Sequence, residues 1–539
     1  MRTRRTLAVA VAAGGLALLI TGLLGLDRLH AFLSAGAGHS VTAGYVERFR
    51  MRTLICAFVS LMIAAAAWFR ELPPRRPLSI AAPSPLAWLI IAIGAAARLP
   101  LLFVPPRYDE AFTINEFVRH GPAFFLLRYT AANNHVFHTL LVWIIRLAAG
   151  DRLWALRLPA FIAGIAVLAA TYALARRLGD ETIALAATAL AAAASPLVEY
   201  SSQARGYTIL TLAFLLLYLI DDELLAGMAL ALGAWTIPTM IYAAAAWAAW
   251  TLVTQRAWRR VVSVGAIGGA LAFLLYLPML VVTGTDSITS NGNTLSVPYS
   301  VLAKALPATF VELARQWSLG FTIPLAIVLA AAAVIAIVRR APAALPFACA
   351  AAAIAILLLI TRKVPFPRVW LFVMPLFLIA AASAFAFLRH RGAHIGIAAA
   401  AAVLAFNAWR VTDRFDFYED PAMADAPAVA RSIDALPADA RVLVTTPLDA
   451  PFVFYAPGRM IQDRFDSDPA AVRAEVLRTA RMYFVASTDA ADPLAMYRAL
   501  HLPYSLAVRQ RFPHAVLYEL RPSNGRLENA PLAAPDFAP

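Results

Sequence analysis

Four short stretches of the sequence carry side chains that could do chemistry. In "PPRYDEAFTINEF" (105–117), Asp109 and Glu110 are adjacent acids, and Arg107 is the basic residue within the same helical turn. A single acid there reads as solvated. A pair with little to neutralise it suits a general base that takes a proton from a hydroxyl. In "NNHVFHTLL" (133–141), Asn133, Asn134, His135 and His138 cluster, and the i, i+3 spacing puts both histidines on one helical face. Such a pair could ligate zinc, but the spacing matches no metal motif. The same residues suit hydrogen bonding to a polar substrate, or capping and packing at a helix start. "SPLVEYSSQARGYTILTL" (195–212) holds Glu199, Tyr200, Gln203, Arg205 and Tyr207. The guanidinium fork of Arg205 fits phosphate oxygens, with an ion pair to Glu199 as the plainer reading. "TRKVPFPRVWLFVMP" (361–375) adds Arg362, Lys363 and Arg368, and Glu312, Arg315 and Trp317 lie in the stretch before it.

The elements that position these residues must be membrane helices. Of 539 residues, 61% are hydrophobic and only 14% charged, and the mean hydropathy of +0.70 excludes a soluble globular protein. Apolar runs lie near 7–26, 53–69, 86–104, 154–175, 182–198, 207–220, 224–238, 239–254, 261–283, 321–338, 343–361, 369–388 and 393–409. Runs of roughly 18 or more such residues mark membrane spans. The formal charge of +14 would suggest nucleic acid in a soluble chain. Here the arginines sit between apolar runs, where they orient loops toward the cytoplasm, and no basic face interleaved with aromatics appears. Cys56 and Cys349 fall inside apolar runs and form no framework.

Placing the arginine-rich gaps "MRTRR", "RELPPRR", "ARRLG", "QRAWRR", "VRR" and "LRHRGAH" in the cytoplasm gives a consistent alternation if "HVFHTLLVWIIRLAAG" (135–150) does not cross. At about four turns with Arg146 inside it, that stretch reads as an interfacial helix on the outer face. The count is then about thirteen spans, with Asp109 and Glu110, the 199–207 stretch and the 362–368 stretch all facing outward. "AFTINEF" is amphipathic and is expected to lie on the surface. Two outward cationic clusters, at Arg205 and at Lys363 with Arg368, run against the positive-inside pattern and point to an anionic substrate at the outer bilayer surface.

The N-terminus reads as a retained signal-anchor, and a second "MRT" at Met51 offers an alternative start. Residues 1–85 form extra helices and a proline-rich cytoplasmic linker, "ELPPRRPLSIAAPSP". Residues 86–410 form the membrane part, with 105–153 as its outer loop. From 411 to 521 acids outnumber bases and no long apolar run occurs. There "RVLVTTP", "RMYFVAS" and "AVLYELR" read as strands and "DPAAVRAEVLRTA" and "DPLAMYRAL" as helices, which predicts a small extracytoplasmic α/β domain. The tail, 522–539, has a disordered composition.

The order of "DE" after a long span, an "NNH" loop, "LWALRLPAFIAGIAVLAATYALARRLG", "SPLVEYSSQARGY" and "PFPRVWLFVMP" resembles the GT-C integral-membrane glycosyltransferases. The bacterial members similar to protein mannosyltransferases and to the aminoarabinose transferase of lipid A are the nearest in pattern, over roughly residues 86 to 410. The resemblance implies a polyprenyl-phosphate-linked sugar donor, used at the outer face of a bacterial inner membrane. It places the first-loop acid on Asp109 with Glu110 beside it, a donor-phosphate arginine on Arg205, and the late basic position on Arg368 with Lys363. Asn134, His135, His138, Glu199 and Tyr207 are the substrate-binding candidates. The family's "HPPL"-like loop reads "NHVFH" here, and two extra spans precede residue 86. No cofactor is implied, and no motif supports a divalent metal. The acceptor is a lipid, a glycan or a protein. The alternatives are a polysaccharide ligase of the same fold and a lipid or solute transporter. The second would call for internal repeats and midplane charges that the pattern lacks.

Overall fold

The computed structural model describes residues 2–37, 40–69, 82–285, 296–318, 321–385, 420–463 and 468–522, together with 288, 394, 397, 400–404, 406 and 407. Most of the proline-rich linker, most of the run 393–409 and the tail beyond 522 lie outside the described residues. The chain divides into two compact units. One comprises Met1–Leu102 and His120–Val411, the other Phe103–Arg119 and Thr412–Pro539.

The first unit is helical, and each apolar run from 86–104 to 369–388 contains a helix. Six helices are long and apolar enough to cross a membrane: Arg5–Leu23, Ala43–Phe69, Pro85–Leu102, Leu158–Leu178, Trp258–Val282 and Pro342–Thr361. A seventh is reached if Tyr299–Ser318 and Ile323–Val338 form one bent span. Shorter apolar helices, among them Glu181–Ala193, Tyr207–Leu219, Glu223–Thr236 and Pro367–Ala382, join them in this multi-pass membrane protein. Their starts follow from sequence. Ser84, Asp180, Asp222 and Thr322 each accept a backbone N–H three residues on, which satisfies an orphan donor at a helix N-terminus. Small residues let the helices approach closely. A Cβ on Gly94 would lie 2.9 Å from both Ala192 and Leu168, and Glu181–Ala193 buries an almost unbroken run of alanines.

The N-terminal helices Arg2–Leu23 and Ala43–Phe69 pack together, and Ala43–Phe69 docks on Trp258–Val282. Arginines tie this contact: Arg50 Nε donates to Gly22 O (3.1 Å) and Arg52 Nη1 to Val282 O (3.2 Å), each reaching a carbonyl at a helix C-terminus. Val136–Ala149, expected as an interfacial helix, is 14 residues long. At 1.5 Å per residue it covers about 21 Å, short of a hydrocarbon core of about 30 Å.

The second unit is built on a five-stranded sheet of order β2-β1-β3-β5-β4, with β1 Ala440–Thr445, β2 Met460–Asp463, β3 Arg481–Ser487, β4 Tyr504–Arg511 and β5 Ala515–Pro522. β1 runs parallel to β2 and β3, and β5 antiparallel to β3 and β4. The period of two is visible in its cores. Val442, Val444, Tyr483, Val485 and Leu517 pack on one face, against Ala426–Asp434 and Asp449–Tyr455. Leu443, Phe484, Val516 and Tyr518 pack on the other, with Val472, Val476 and Tyr497 from the remaining helices. The three strands expected from sequence are present. β2 and β4 went unread because one is four residues long and the other is a half-exposed edge with no clean alternation.

Candidate functional site

In the second unit, Asp109 and Glu110 open the helix Tyr108–Thr113, which continues as a wider turn through Val118. Glu110 is fully buried and Asp109 is partly exposed. The expectation that "AFTINEF" lies on the surface is corrected. Ala111, Ile114, Phe117 and Val118 recur at helical spacing and are all buried. Polar clamps fix the segment on the helix Asp449–Tyr455: Asn115 Nδ2 donates to Ala450 O (2.9 Å), and Arg119 reaches Phe454 O (2.9 Å) and Asn115 Oδ1 (2.7 Å). The acids are therefore held on a rigid element, with Asp109 left partly open.

In the first unit, the helix start at His135 and the loop 201–206 bring most of the other candidates together. His135 precedes Val136–Ala149, and its Nδ1 accepts the Gly206 backbone N–H at 2.8 Å. Its ring meets Tyr207 edge-on (5.0 Å, 85°), and Tyr200 meets Tyr207 at 4.9 Å. Arg205 is buried, its guanidinium carbon 5.5 Å from the Tyr207 ring centre and its Nη2 3.4 Å from the Tyr207 hydroxyl. Gly206 admits this closeness: a Cβ there would lie 2.5 Å from Thr236 Cγ2, 3.1 Å from His135 Cβ and 3.2 Å from His138 Cβ. Asn134 donates through Nδ2 to Phe125 O (2.9 Å) and Arg128 O (3.1 Å). Glu199 accepts a hydrogen bond from Gln203 (3.0 Å).

Several buried polar atoms of this cluster have no hydrogen-bond partner among the described residues: Asn134 Oδ1, Thr139 Oγ1 and both ring nitrogens of His138. Such atoms are rare in a folded interior and mark a place where a polar ligand can bind. Burial, then the Arg205 cation, then His138 and Arg368, hold the His135 imidazole well below its usual range. Burial and Arg205 bring His138 down to about 3. These shifts favour neutral rings, with Arg205 bearing on both and Arg368 on His135. Arg368 thus joins Arg205 in the electrostatics of one site. It stacks over Phe366 at 4.4 Å. Lys363 is half-buried beside Arg362, whose carbonyl accepts the Val297 N–H (2.9 Å). Glu312 and Arg315 form an exposed two-pronged pair (2.9 Å each), and Trp317 packs on Phe377. Among the described residues no group of three or more His, Cys, Asp or Glu is placed to hold a metal ion.

Sequence reasoning missed two buried arginines. Arg98 donates to Gly94 O (2.7 Å), Ala192 O (3.1 Å), Ala191 O (3.4 Å) and Ser201 Oγ (3.2 Å). Arg157 Nη1 donates to Leu101 O (2.9 Å) and Leu102 O (3.0 Å). Each begins an Arg-Leu-Pro triplet at the end of one span or the start of another. A charge set against an apolar run was the available signal. Tyr129 was missed as well; burial, then the neighbouring Tyr207, raise its hydroxyl pKa.

Residues 136–282 match the sequence profile of the dolichyl-phosphate-mannose-protein mannosyltransferase family. No curated protein sequence matches the chain. Among solved structures, ArnT from Cupriavidus metallidurans in the apo state is similar with a TM-score of 0.53, at 15% identity over 80% of this chain and 97% of that one. ArnT from the same organism bound to undecaprenyl phosphate gives a TM-score of 0.52, at 15% identity over 81% and 98%. The chain shares the fold of these two structures.

Proposed function

We propose that the protein is a glycosyltransferase that moves a sugar, hexose or pentose, from a polyprenyl-phosphate-linked donor to a lipid, glycan or protein acceptor at the outer face of a bacterial inner membrane. The observation that carries this reading is the joint action of two arginines, Arg205 and Arg368, on a buried cluster of neutral polar groups. That arrangement suits a phosphate with an uncharged polyhydroxy group attached. A similar fold that binds undecaprenyl phosphate supports it.

In this reaction Asp109 takes the proton of an acceptor hydroxyl, with Glu110 beside it. The acceptor oxygen bonds to the anomeric carbon as the bond from that carbon to the phosphate oxygen breaks. The phosphate leaves on its lipid carrier. Arg205, Arg368 and Lys363 stabilise the charge that develops on it. Asn134, His135, His138, Glu199 and Tyr207 position the donor by hydrogen bonds and ring contact.

The test is sugar transfer in membranes holding wild type, Asp109→Asn or Arg205→Ala, with radiolabelled polyprenyl-phosphate sugars. Label is followed into lipid, glycan and protein fractions. Wild type transfers label and identifies the acceptor class, whereas both variants fall by a factor on the order of 100 or more. A folded Asp109→Asn protein with full activity removes the base from the mechanism. A folded wild type inert with every donor removes the transferase reading.

A further inference from the structure

The contact between His135 and Gly206 constrains more than position. A backbone N–H is always a donor, so the ring nitrogen that receives it carries no proton. The 2.8 Å bond from Gly206 N–H to His135 Nδ1 therefore leaves the proton of a neutral imidazole on Nε2. It also excludes the doubly protonated ring while the bond stands. The bond is protected, since both His135 and Gly206 are buried and Gly206 is wedged between His135, His138 and Thr236. Among the described residues the one hydrogen bond of the His135 ring is the one from Gly206. The ring is held edge-on to Tyr207, the residue that Arg205 overlies.

We infer that His135 is a permanent hydrogen-bond donor to the donor substrate's phosphate, its Nε2–H aimed at the same anion as Arg205 and Arg368 and its tautomer set by the Gly206 backbone. This rests on the polyprenyl-phosphate reading above. It assigns His135 a role that excludes proton transfer: the residue neither accepts a proton from the acceptor nor gives one to the leaving group. A neutral donor is well suited here, because a third full cation beside Arg205 and Arg368 would be repelled, whereas a neutral N–H adds a directed bond to a phosphate oxygen. The groups around the ring are Arg205 and Tyr207 from the loop and following helix, His138 from its own helix and Arg368 from the stretch 367–373. Arg205, Arg368 and His138 all oppose a positive imidazole. The geometry and the electrostatics agree.

The experiment is nitrogen NMR of the full chain in nanodiscs, labelled at histidine, with the His135 signals assigned by their loss in His135→Asn. It is run with and without undecaprenyl phosphate, between pH of about 5 and 8. The expected result is an unprotonated Nδ1 and a protonated Nε2 at every pH, with the Nε2 signal shifting when the lipid phosphate binds. The asparagine variant can still accept from Gly206 through Oδ1, but its Nδ2 amide does not reach the position of the ring's Nε2. It should melt like wild type and bind undecaprenyl phosphate more weakly, by a factor on the order of ten. A protonated Nδ1, or a His135 that titrates in this range, overturns the tautomer assignment. Lipid phosphate that binds wild type without moving the Nε2 signal overturns the phosphate contact alone. A wild type that does not bind the lipid phosphate overturns that contact together with the donor reading, and leaves the tautomer result standing.

Discussion

The loop 201–206, which carries Arg205, is held at one end by Arg98 and at the other by His135, and the two residues are buried to the same depth. At Ser201, the donors of Arg98 are spent on protein acceptors: three main-chain carbonyls and one hydroxyl. At Gly206, His135 makes one bond to the loop and keeps a donor in hand, while its neighbour His138 keeps both nitrogens. Burial of a polar side chain is thus no guide to its role. The fraction of its hydrogen bonds used inside the protein is the better guide, since a polar group that folding leaves unsatisfied costs stability and persists where something else recovers it.

The largest effect should come from the satisfied end. Arg98→Ala strips three carbonyls and Ser201 of a charged donor. At roughly 1.5 kcal/mol per charge-assisted bond, the four bonds together are worth about 6 kcal/mol. Thermal unfolding in detergent should show a much lower midpoint or no folded protein. A variant that melts like wild type would break the comparison, because Arg98 would then not be structural.

Next in size is Gly206→Ala. Its added Cβ would come within 2.5 Å of Thr236 Cγ2 and press on both histidines. Overpacking of this kind costs about 1–3 kcal/mol and should displace His135 from its bond. The double variant Gly206→Ala with Thr236→Ser removes the obstructing methyl and should regain most of the melting temperature. If it does not, the closeness of Gly206 to the histidines, rather than to Thr236, sets the penalty.

A smaller and opposite effect is expected at the unsatisfied end. His138→Leu replaces a buried ring whose nitrogens have no partner among the described residues with an apolar side chain of similar bulk. Stability should hold or rise by up to about 1 kcal/mol, while sugar transfer falls. Paired with Arg98→Ala, this variant separates a structural polar residue from a functional one by the sign of a single measurement. A destabilised His138→Leu protein would show that the ring is packed for structure after all.

How far the sequence revealed these differences depends on which residues are considered. The apolar runs gave the helices, and the short apolar runs in "RMYFVAS" and "AVLYELR" gave two sheet-core strands, because burial on both faces writes itself into residue type. Asp109 with Glu110, Arg205 and Arg368 stood out because charges at the edges of apolar runs are costly without a purpose. Arg98 and Arg157 obey the same rule yet were passed over. Most of their described partners are main-chain carbonyls, which have no letter in the sequence. Gly206 stands in "SSQARGY", but its use is a matter of three side chains distant in sequence. The packing of 103–119 on the helix Asp449–Tyr455 was hidden for the same reason: Ala450 and Phe454 take part through their carbonyls.

The second unit supplies an intermediate case, and the smallest expected effect. Asp425 is buried and accepts the His514 backbone N–H at 2.7 Å, while Asp489 stands nearby with His514 Nδ1 at 2.9 Å. Burial raises the Asp425 pKa, and the bond from His514 only partly offsets it. The sign follows from linkage. The folded state holds this proton more tightly than the unfolded chain does, so the contribution to stability is full below the unfolded carboxylate value of about 3.9 and is lost as pH rises through the raised folded value. Asp425→Asn can still accept the N–H bond but cannot ionise. Backbone hydrogen exchange of Ala426–Asp434 and β5 in the full chain, measured across that range, should therefore depend less on pH in the variant than in wild type. An equal dependence in both would place Asp425, like Arg98, among polar groups whose bonds folding has fully satisfied.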